Sequence, residues 1–159
     1  AKPKIANYAF TTLVPNLGIV RYKEYDSFVV ADIPGIIEGA SSGKGLGIQF
    51  LRHIERTRIL IFMIDSTNLE GKTTKKEILK DYEVLLKELK TYEAHLLDKP
   101  RIISFTKTDA ISEELRKKLE KMKMKEEKIL ISSVSGENLD ELKVMIWNKL
   151  EELKDSEIN

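Results

Sequence analysis

The sequence predicts an α/β fold in which helices cover a mostly parallel sheet. Four short apolar segments, rich in β-branched residues, have the length and composition of buried strands. Segments with helical character separate each of them from the next, and strands that alternate with helices usually pair in parallel. The predicted strands are residues 28–32, 59–64, 101–105 and 129–131.

The amino-terminal part predicts an antiparallel hairpin. Residues 5–18 show no steady period of 2 or 3.6 and are predicted to form a loop. Residues 19–23 alternate like a strand, and the chain then turns back through 24–27 into the strand at 28–32. The hairpin therefore adds one antiparallel strand to the predicted sheet.

Three helices are predicted in the second half of the chain. A Thr-x-x-Glu capping box at Thr74 begins the first, which places its apolar residues on one face through residues 74–92. The second spans 113–122 and is highly charged. The third is predicted to begin with Asn138 as its N-cap and to bury apolar residues as far as Leu153.

A glycine-rich segment precedes a further predicted helix. Residues 39–47 contain four glycines, so we expect this segment to stay mobile until a ligand or partner orders it. The helix at 48–57 and the residue after it carry Arg52, Arg56 and Arg58. These arginines form either a solvated face, the commoner case, or a local basic patch for RNA.

Composition limits the possible partners. The 159 residues, 42% of them apolar, fit one domain of residues 1–153 with a short tail at 154–159. Because 27 basic residues face 26 acidic ones, the net charge is +1, and no overall field attracts DNA or a membrane. No apolar run approaches the roughly 18 residues of a membrane span.

Residue types that ligate soft metals are scarce. The chain has no cysteine, which excludes disulfides and thiolate metal sites and agrees with a reducing cytoplasm. His53 and His95 are its two histidines, too few for a zinc cluster. A hard cation bound by oxygen ligands remains compatible with this composition.

The first buried strand ends in a candidate phosphate site. Asp32 follows the apolar run at the carboxyl end of the strand, where open parallel sheets bind ligands. Its carboxylate can hold Mg²⁺ through a water, and Gly35 lets a backbone N–H approach a phosphate. The paired Thr11 and Thr12 offer hydroxyls to the same ion. Taken separately, a strand-ending Asp with a turn glycine, or a turn closed by threonines, is the commoner explanation.

Two later strand ends predict a site for guanine. Residues 106–109 read Thr-Lys-Thr-Asp, in which Asp109 can accept hydrogen bonds from N1–H and the exocyclic amine while the stem of Lys107 covers the base. Residues 132–134 read Ser-Ser-Val, a turn whose backbone N–H can meet O6. Each motif is weak alone. Their order, each at the end of a separate buried strand, makes the combination strong.

Three longer stretches point to a family. Residues 8–18 read Y-x-F-T-T-L-x-P-N-L-G, residues 32–40 read D-I-P-G-I-I-E-G-A, and residues 50–57 read F-L-R-H-I-E-R-T. With these motifs the whole chain resembles the GTPase domain of the Obg family of P-loop GTPases. The resemblance implies a Ras-like three-layer sandwich.

The resemblance also implies residue roles. Thr12 is the implied switch I threonine that contacts Mg²⁺ and the terminal phosphate, and Gly35 lies in switch II; both count as catalytic. Asp32 is implied to hold Mg²⁺ through water. The implied nucleotide-binding residues are Phe10, Thr11, Thr12, Leu13, Val14, Asp32, Ile33, Pro34, Gly35, Thr106, Lys107, Thr108, Asp109, Ser132, Ser133 and Val134.

The sequence departs from the family pattern in two places. Thr106 stands where the family usually has Asn, although related GTPases use Thr there. The phosphate loop, with the first strand and helix, is expected upstream of Lys2. Residues 71–73 read Gly-Lys-Thr, but the glycine required five positions before Gly71 is Ser66, and Asp65 would place negative charge beside phosphates.

The resemblance implies a cytoplasmic molecular switch that binds Mg²⁺, hydrolyses GTP to GDP and acts in assembly of the large ribosomal subunit. A competing interpretation is a non-catalytic interaction module that keeps the fold and a ribosome-facing surface without binding nucleotide tightly.

Ile36 affects the expected rate of GTP hydrolysis, because Ras-type relatives place a water-orienting glutamine directly after the switch II glycine. We expect slow intrinsic hydrolysis.

Overall fold

The computed structural model describes residues 16–23, 26–32, 52 and 54–158. The chain divides into two compact units. One comprises residues 1–57 with 83–98, and the other comprises 58–82 with 99–159.

The first unit contains an antiparallel strand pair. Strand β1 (Asn16–Tyr22) pairs with β2 (Asp26–Asp32) in a register that joins Asn16 to Asp32 and Tyr22 to Asp26. The predicted hairpin is confirmed. The prediction that residues 16–18 belong to a loop is wrong, because pairing with β2 satisfies their backbone whatever their side-chain period.

The second unit contains a three-stranded parallel sheet in the order β3-β4-β5. Its strands are β3 (Leu60–Asp65), β4 (Arg101–Thr106) and β5 (Glu127–Leu130), and β4 lies in the centre. The predicted parallel pairing is confirmed for these three. The buried apolar residues of this unit include Leu60, Ile102, Ile103, Phe105, Leu115, Leu119, Ile129, Leu130, Ile131 and Ile146.

The predicted helix at 74–92 consists of two helices, α1 (Lys75–Ile78) and α2 (Lys80–Tyr92). Its capping box is present, since the side chain of Thr74 accepts from the Glu77 N–H and Glu77 reaches back to the Thr74 backbone. Leu79 interrupts the helix with a φ of −99° and a ψ of 14°. This conformation lies in the bridge region, outside the helical range.

Two further helices follow β4 and β5. Helix α3 (Glu113–Lys121) matches its prediction closely, and the hydroxyl of Ser112 caps it by accepting from the Leu115 N–H. Helix α4 (Leu139–Ile158) continues past the predicted end at Leu153. Short 3₁₀ segments that the sequence did not predict lie at Ser66–Leu69, Ala94–Asp98 and Thr108–Ala110.

Lys128 supports the carboxyl end of α3. Its ammonium donates hydrogen bonds to the carbonyls of Leu119, Glu120 and Met122. These carbonyls belong to the end of the helix, which has no internal donors for them. Burial lowers the pKa of the Lys128 amine.

Several predicted elements fall where little or nothing is described. The glycine-rich segment at 39–47 lies outside the described residues, as does most of the helix at 48–57. Arg52, Ile54 and Glu55, which are described, have helical backbone. Within the described part of the chain, no helix has both the length and the apolar character needed to cross a membrane.

Candidate functional site

The loop after β4 turns sharply at Lys107. This residue has a φ of 58° and a ψ of 35°, a left-handed conformation that residues other than glycine seldom adopt. The chain then enters the 3₁₀ turn that contains Thr108 and Asp109. Thr108 is 1% exposed, whereas Asp109 is exposed. The turn therefore places a buried anchor directly before an accessible carboxylate.

The loop after β5 is closed by its own backbone. The Gly136 N–H donates to the Ser132 carbonyl at 2.9 Å, and the Ser132 N–H donates to the Glu137 carbonyl at 3.2 Å. Gly136 has a φ of 81°, which glycine adopts without strain. The Ser135 N–H donates to the Ser132 hydroxyl at 3.1 Å. These bonds define a compact turn in which Ser132 is fully buried.

Asn138 departs from its predicted role as an N-cap. Helix α4 does begin directly after it, at Leu139. However, Asn138 has a φ of 56°, whereas N-cap residues have extended backbone. Its side-chain amide donates to the Leu130 carbonyl at 2.8 Å. Asn138 thus ties the far end of the loop back to the end of β5.

The two loops meet at Asp109. The hydroxyl of Ser132 donates to Asp109 Oδ1 at 2.7 Å. Beside this contact, the Ile131 N–H donates to the Phe105 carbonyl at 2.8 Å, and the Thr108 N–H donates to the Ile131 carbonyl at 3.2 Å. The structure therefore brings together the two motifs that the sequence predicted to act on one base, and it fixes the direction of the Asp109 carboxylate.

Lys107 is anchored by a carboxylate at the end of β3. Its ammonium lies 2.8 Å from Asp65 Oδ2, although the lysine side chain is 64% exposed. Asp65 Oδ1 accepts from the N–H and the hydroxyl of Thr67, at 3.0 and 2.6 Å. The hydrogen bonds from Lys107 and then Thr67 lower the pKa of Asp65. An ionised Asp65 therefore ties the loop that carries Lys107 and Asp109 to the end of β3.

A second ion pair supports both loops. Arg116 on α3 donates to both carboxylate oxygens of Glu137, at 2.5 and 3.0 Å, and also to the Thr108 carbonyl at 2.7 Å. The hydrogen bond from Arg116, followed by that from Thr108, lowers the pKa of Glu137. No role of Arg116, Glu137 or Asp65 in the site was predicted from the sequence.

The signals available for these three supports differ in strength. Asp65 ends a buried strand just as Asp32 does, so its position offered a signal. Arg116 and Glu137 are 21 residues apart, and nothing in their spacing indicates that they pair. A surface helix and a turn normally carry such charges without any partner in space.

Known proteins identify the family. A family model described as 50S ribosome-binding GTPase matches residues 1–107. The chain is 53% identical to GTPase Obg of Pelodictyon phaeoclathratiforme over 150 residues, which cover 94% of this chain and 42% of that protein. The chain belongs to the Obg family of GTPases. It is 50% identical to GTPase Obg of Cytophaga hutchinsonii over 155 residues, covering 97% of this chain and 44% of that protein.

Solved structures agree on the P-loop GTPase fold. A point variant of Era from Aquifex aeolicus, crystallised with GDP and AlF4⁻, aligns with a TM-score of 0.59 and 24% identity over 87% of this chain and 45% of its own. Elongation factor SelB of Methanococcus maripaludis, with the GTP analogue GppNHp, aligns with a TM-score of 0.57 and 18% identity over 88% of this chain and 28% of its own. The chain spans less than half the length of these Obg relatives and structures.

The other residues that the sequence of this Obg-family chain predicts to bind the base lie at the same edge of the sheet. Thr106 ends β4, where its carbonyl accepts a hydrogen bond from the Ser66 hydroxyl and its own hydroxyl donates to the Ile64 carbonyl at 3.4 Å. Ser133 and Val134 are exposed in the second loop, Val134 to 84%. An apolar side chain this exposed, in the loop that meets Asp109, suits contact with the face or edge of a planar ligand.

The phosphate and magnesium residues of the Obg pattern are mostly outside the described part of the chain. These are residues 10–14 and 33–35. Asp32 is described as the last residue of β2, opposite Asn16. Among the described residues, no group of three or more His, Cys, Asp or Glu side chains is arranged to hold a metal ion. A strand-end aspartate that acts through water together with one hydroxyl needs no such cluster.

Proposed function

We propose that this chain forms the nucleotide-binding part of an Obg-family switch that binds GTP with Mg²⁺ and hydrolyses it to GDP and phosphate. The observation that carries the proposal is the meeting of the two loops at Asp109, whose carboxylate the hydroxyl of Ser132 orients at 2.7 Å. An exposed carboxylate with a fixed direction is what recognition of N1–H and the exocyclic amine of guanine requires.

The surroundings of Asp109 supply the other parts of a guanine site. Lys107, held by Asp65 at 2.8 Å, has a long apolar stem that covers one face of a base. The turn at 132–134 offers backbone N–H groups for O6. Adenine presents an amine where guanine has O6 and lacks the N1–H donor, so this set of groups rejects it.

At the phosphate end, the proposed roles are those that the Obg motifs imply. The Thr12 hydroxyl and, through water, the Asp32 carboxylate would be oxygen ligands for Mg²⁺, and the Gly35 N–H would meet the terminal phosphate. Hard oxygen donors of this kind fit Mg²⁺. When bound, the ion neutralises charge that develops on the phosphate oxygens during transfer.

Hydrolysis by this chain is expected to be slow. Ile36 follows the switch II glycine and has no group that orients the attacking water. The attacking water must therefore be oriented by another group, such as a bound potassium ion, a backbone group or a partner. Orientation of the reactants accounts for a large part of the rate of such enzymes. We therefore expect turnover to rise when a partner orders residues 39–47.

The proposed partner is the large ribosomal subunit, in a cytoplasmic assembly reaction. Support comes from the matching family, whose description is 50S ribosome-binding GTPase. With a net charge of +1 the chain has no overall attraction for RNA, so contact with the subunit has to be local.

Titration of nucleotides tests this proposal in the full-length protein that contains the chain. Fluorescently labelled GDP is bound first and then displaced by unlabelled GDP, GTP, XDP or ADP, with Mg²⁺ or with EDTA. Guanine nucleotides should displace the label at concentrations at least about 100-fold lower than ADP, as expected when mismatched hydrogen-bonding groups are left unpaired. Failure to bind the labelled GDP tightly would instead favour the non-catalytic interaction module, and tight binding without guanine preference would overturn the proposed base site.

Hydrolysis and partner binding are measured on the same protein. Single-turnover hydrolysis is followed in sodium or potassium, with and without purified large ribosomal subunits. Co-sedimentation with these subunits in the presence of GTP or GDP reports whether the nucleotide controls the contact. A rate that subunits leave unchanged, together with equal co-sedimentation in GTP and GDP, would contradict the switch.

A further inference from the structure

Arg116 and Glu137 form a bidentate ion pair that is mostly shielded from water. The two N–H···O distances are 2.5 and 3.0 Å, and the side chains are 21% and 28% exposed. Planar guanidinium–carboxylate pairs of this type fix both distance and orientation, and they are stronger than neutral hydrogen bonds. Two other carboxylates near Arg116, those of Glu113 and Glu120, lie farther away at 3.7 and 3.9 Å and are more exposed.

Each partner of the pair also contacts the loop after β4, which carries Thr108 and Asp109. Arg116 Nη2 donates to the Thr108 carbonyl at 2.7 Å. The Thr108 hydroxyl lies 2.6 Å from Glu137 Oε1 and 2.9 Å from the Ile131 carbonyl, and it donates its single proton to one of them at a time. Because Thr108 is only 1% exposed, water cannot reach its hydroxyl and carbonyl, and these contacts supply their hydrogen-bond partners instead.

Glu137 is itself part of the loop after β5. Its carbonyl accepts from the Ser132 N–H at 3.2 Å, which closes the turn that contains Ser133 and Val134. The pair therefore joins the loop after β4, the loop after β5 and helix α3.

We propose that Arg116 and Glu137 are positioning residues that set the selectivity of the site for guanine by holding its two loops at a fixed separation. The inference rests on the proposed function of that site. Asp109 directly follows Thr108, and the turn at 132–134 lies within the loop that Glu137 closes. Displacing either loop changes the distance between the carboxylate and the N–H groups that meet different parts of one rigid base.

Rigid spacing matters because both interactions must be made at once. A hydrogen bond weakens steeply when its angle or length departs from the optimum, and a base cannot bend to compensate. Support by a second layer of residues is the usual way to hold such groups within about half an ångström. The lowered pKa of Glu137 agrees with this role, because the carboxylate stays ionised and paired at neutral pH.

The test compares base selectivity in variants of the full-length protein that contains this chain. The ratio of dissociation constants for ADP and GDP is measured in the wild type, Glu137→Ala and Glu137→Gln. Glu137→Ala should lower this ratio about tenfold or more, the effect of losing one or two well-oriented hydrogen bonds. Glu137→Gln should lower it less, because its amide oxygen still accepts from Thr108. The wild-type ratio is measured first: a value near one overturns the proposed function itself.

Three control variants isolate the pair. Glu113→Gln and Glu120→Gln each remove another carboxylate that faces Arg116 from its own helix, and both should leave the ratio within about twofold of wild type. Leu119→Ala opens a cavity at a fully buried position of α3 and lowers thermal stability while the pair stays intact. It should lower the melting temperature without lowering the ratio.

A double-mutant cycle gives an independent measurement. Thr108→Val removes the hydroxyl that donates to Glu137, so its effect on the ratio should be much smaller in the Glu137→Ala background than in wild type. An unchanged ratio in Glu137→Ala overturns the inference while leaving guanine binding in place. So does an equal fall in the ratio for Leu119→Ala, because selectivity would then follow stability alone. Arg116→Lys, which keeps the charge but loses the bidentate geometry, gives the same test if Glu137→Ala does not fold.

Discussion

The antiparallel pair β1–β2 and the parallel pair β4–β5 both carry candidate site residues at a strand end, but they are held together differently. The first two strands are separated by only three residues of sequence, and they pair in the register that joins Asn16 to Asp32. The second two are separated by α3, and the loops that follow them are joined by side chains. Local pairing thus determines the position of Asp32, whereas Asp109 depends on contacts between distant segments.

This difference separates two kinds of site residue. Replacing a residue that contacts the nucleotide removes an interaction wherever it lies. Replacing a residue that only supports the site displaces the residues that contact the nucleotide, and around Asp109 and Lys107 such supports come from distant segments of the chain. The following substitutions compare the base end with the phosphate end of the proposed site.

The largest effect is expected at the base end, from Asp109→Asn. The amide reverses the donor and acceptor pattern at one position, so GTP affinity should fall about 100-fold or more while xanthine nucleotides gain. Competition of GTP and XTP against a fluorescent nucleotide measures both changes. An unchanged affinity for GTP would show that Asp109 does not contact the base.

At the phosphate end, Thr12→Ala should distinguish the two nucleotides. Its hydroxyl is needed only when the terminal phosphate is present, so Mg²⁺-dependent binding of GTP should weaken about tenfold while GDP binding is spared. Titrations of GTP and GDP with Mg²⁺ and with EDTA show the difference. Equal losses for both nucleotides would indicate that Thr12 is structural.

A smaller effect is expected from Ile36→Ala. The side chain does no chemistry, so single-turnover hydrolysis should change less than tenfold, or roughly 1.4 kcal/mol of barrier. Circular dichroism and nucleotide affinity serve as controls for folding and binding. A loss of a hundredfold or more in a folded protein would show that Ile36 shapes the position of the attacking water.

The smallest effect is expected from Asp65→Asn, which removes the partner of Lys107 but keeps an oxygen for the Thr67 N–H. Because the pair is partly exposed, the free energy of unfolding should fall only about 0.5 to 1 kcal/mol at pH 7. Chemical denaturation measures it. Lys87→Ala, which replaces a lysine of α2, is a control for removing a surface charge.

The Asp65→Asn difference should also depend on pH. The pKa of Asp65 is lower in the folded protein than its ordinary value of 3.8, so near that pH the unfolded chain binds more protons. The stabilisation is therefore complete above about pH 5 and is lost as the pH falls through the folded pKa. A wild-type advantage that does not shrink as the pH falls below 3.8 would show that Asp65 stabilises the fold by a route other than its charge.

Local sequence signals were sufficient to predict most of the strands and the position of the two motifs proposed to bind the base. Runs such as 101–105 are apolar and β-branched over the length of one strand, and β4 forms there. The capping box at Thr74 is a contact within one turn of chain, so its residues can be recognised without knowing the fold. The likeness to the Obg family likewise rests on contiguous motifs.

Long-range packing decided the features that the sequence did not predict. Neither proline nor glycine marks the helix break at Leu79, where buried residues on both sides leave the helical periodicity intact. The pairing of Arg116 with Glu137 and of Lys107 with Asp65 joins residues 21 and 42 positions apart. The sequence shows which side chains can donate or accept such hydrogen bonds. It does not show which of them pair, because a hydrogen bond forms only over about 3 Å and the neighbours at that distance depend on which strands lie side by side.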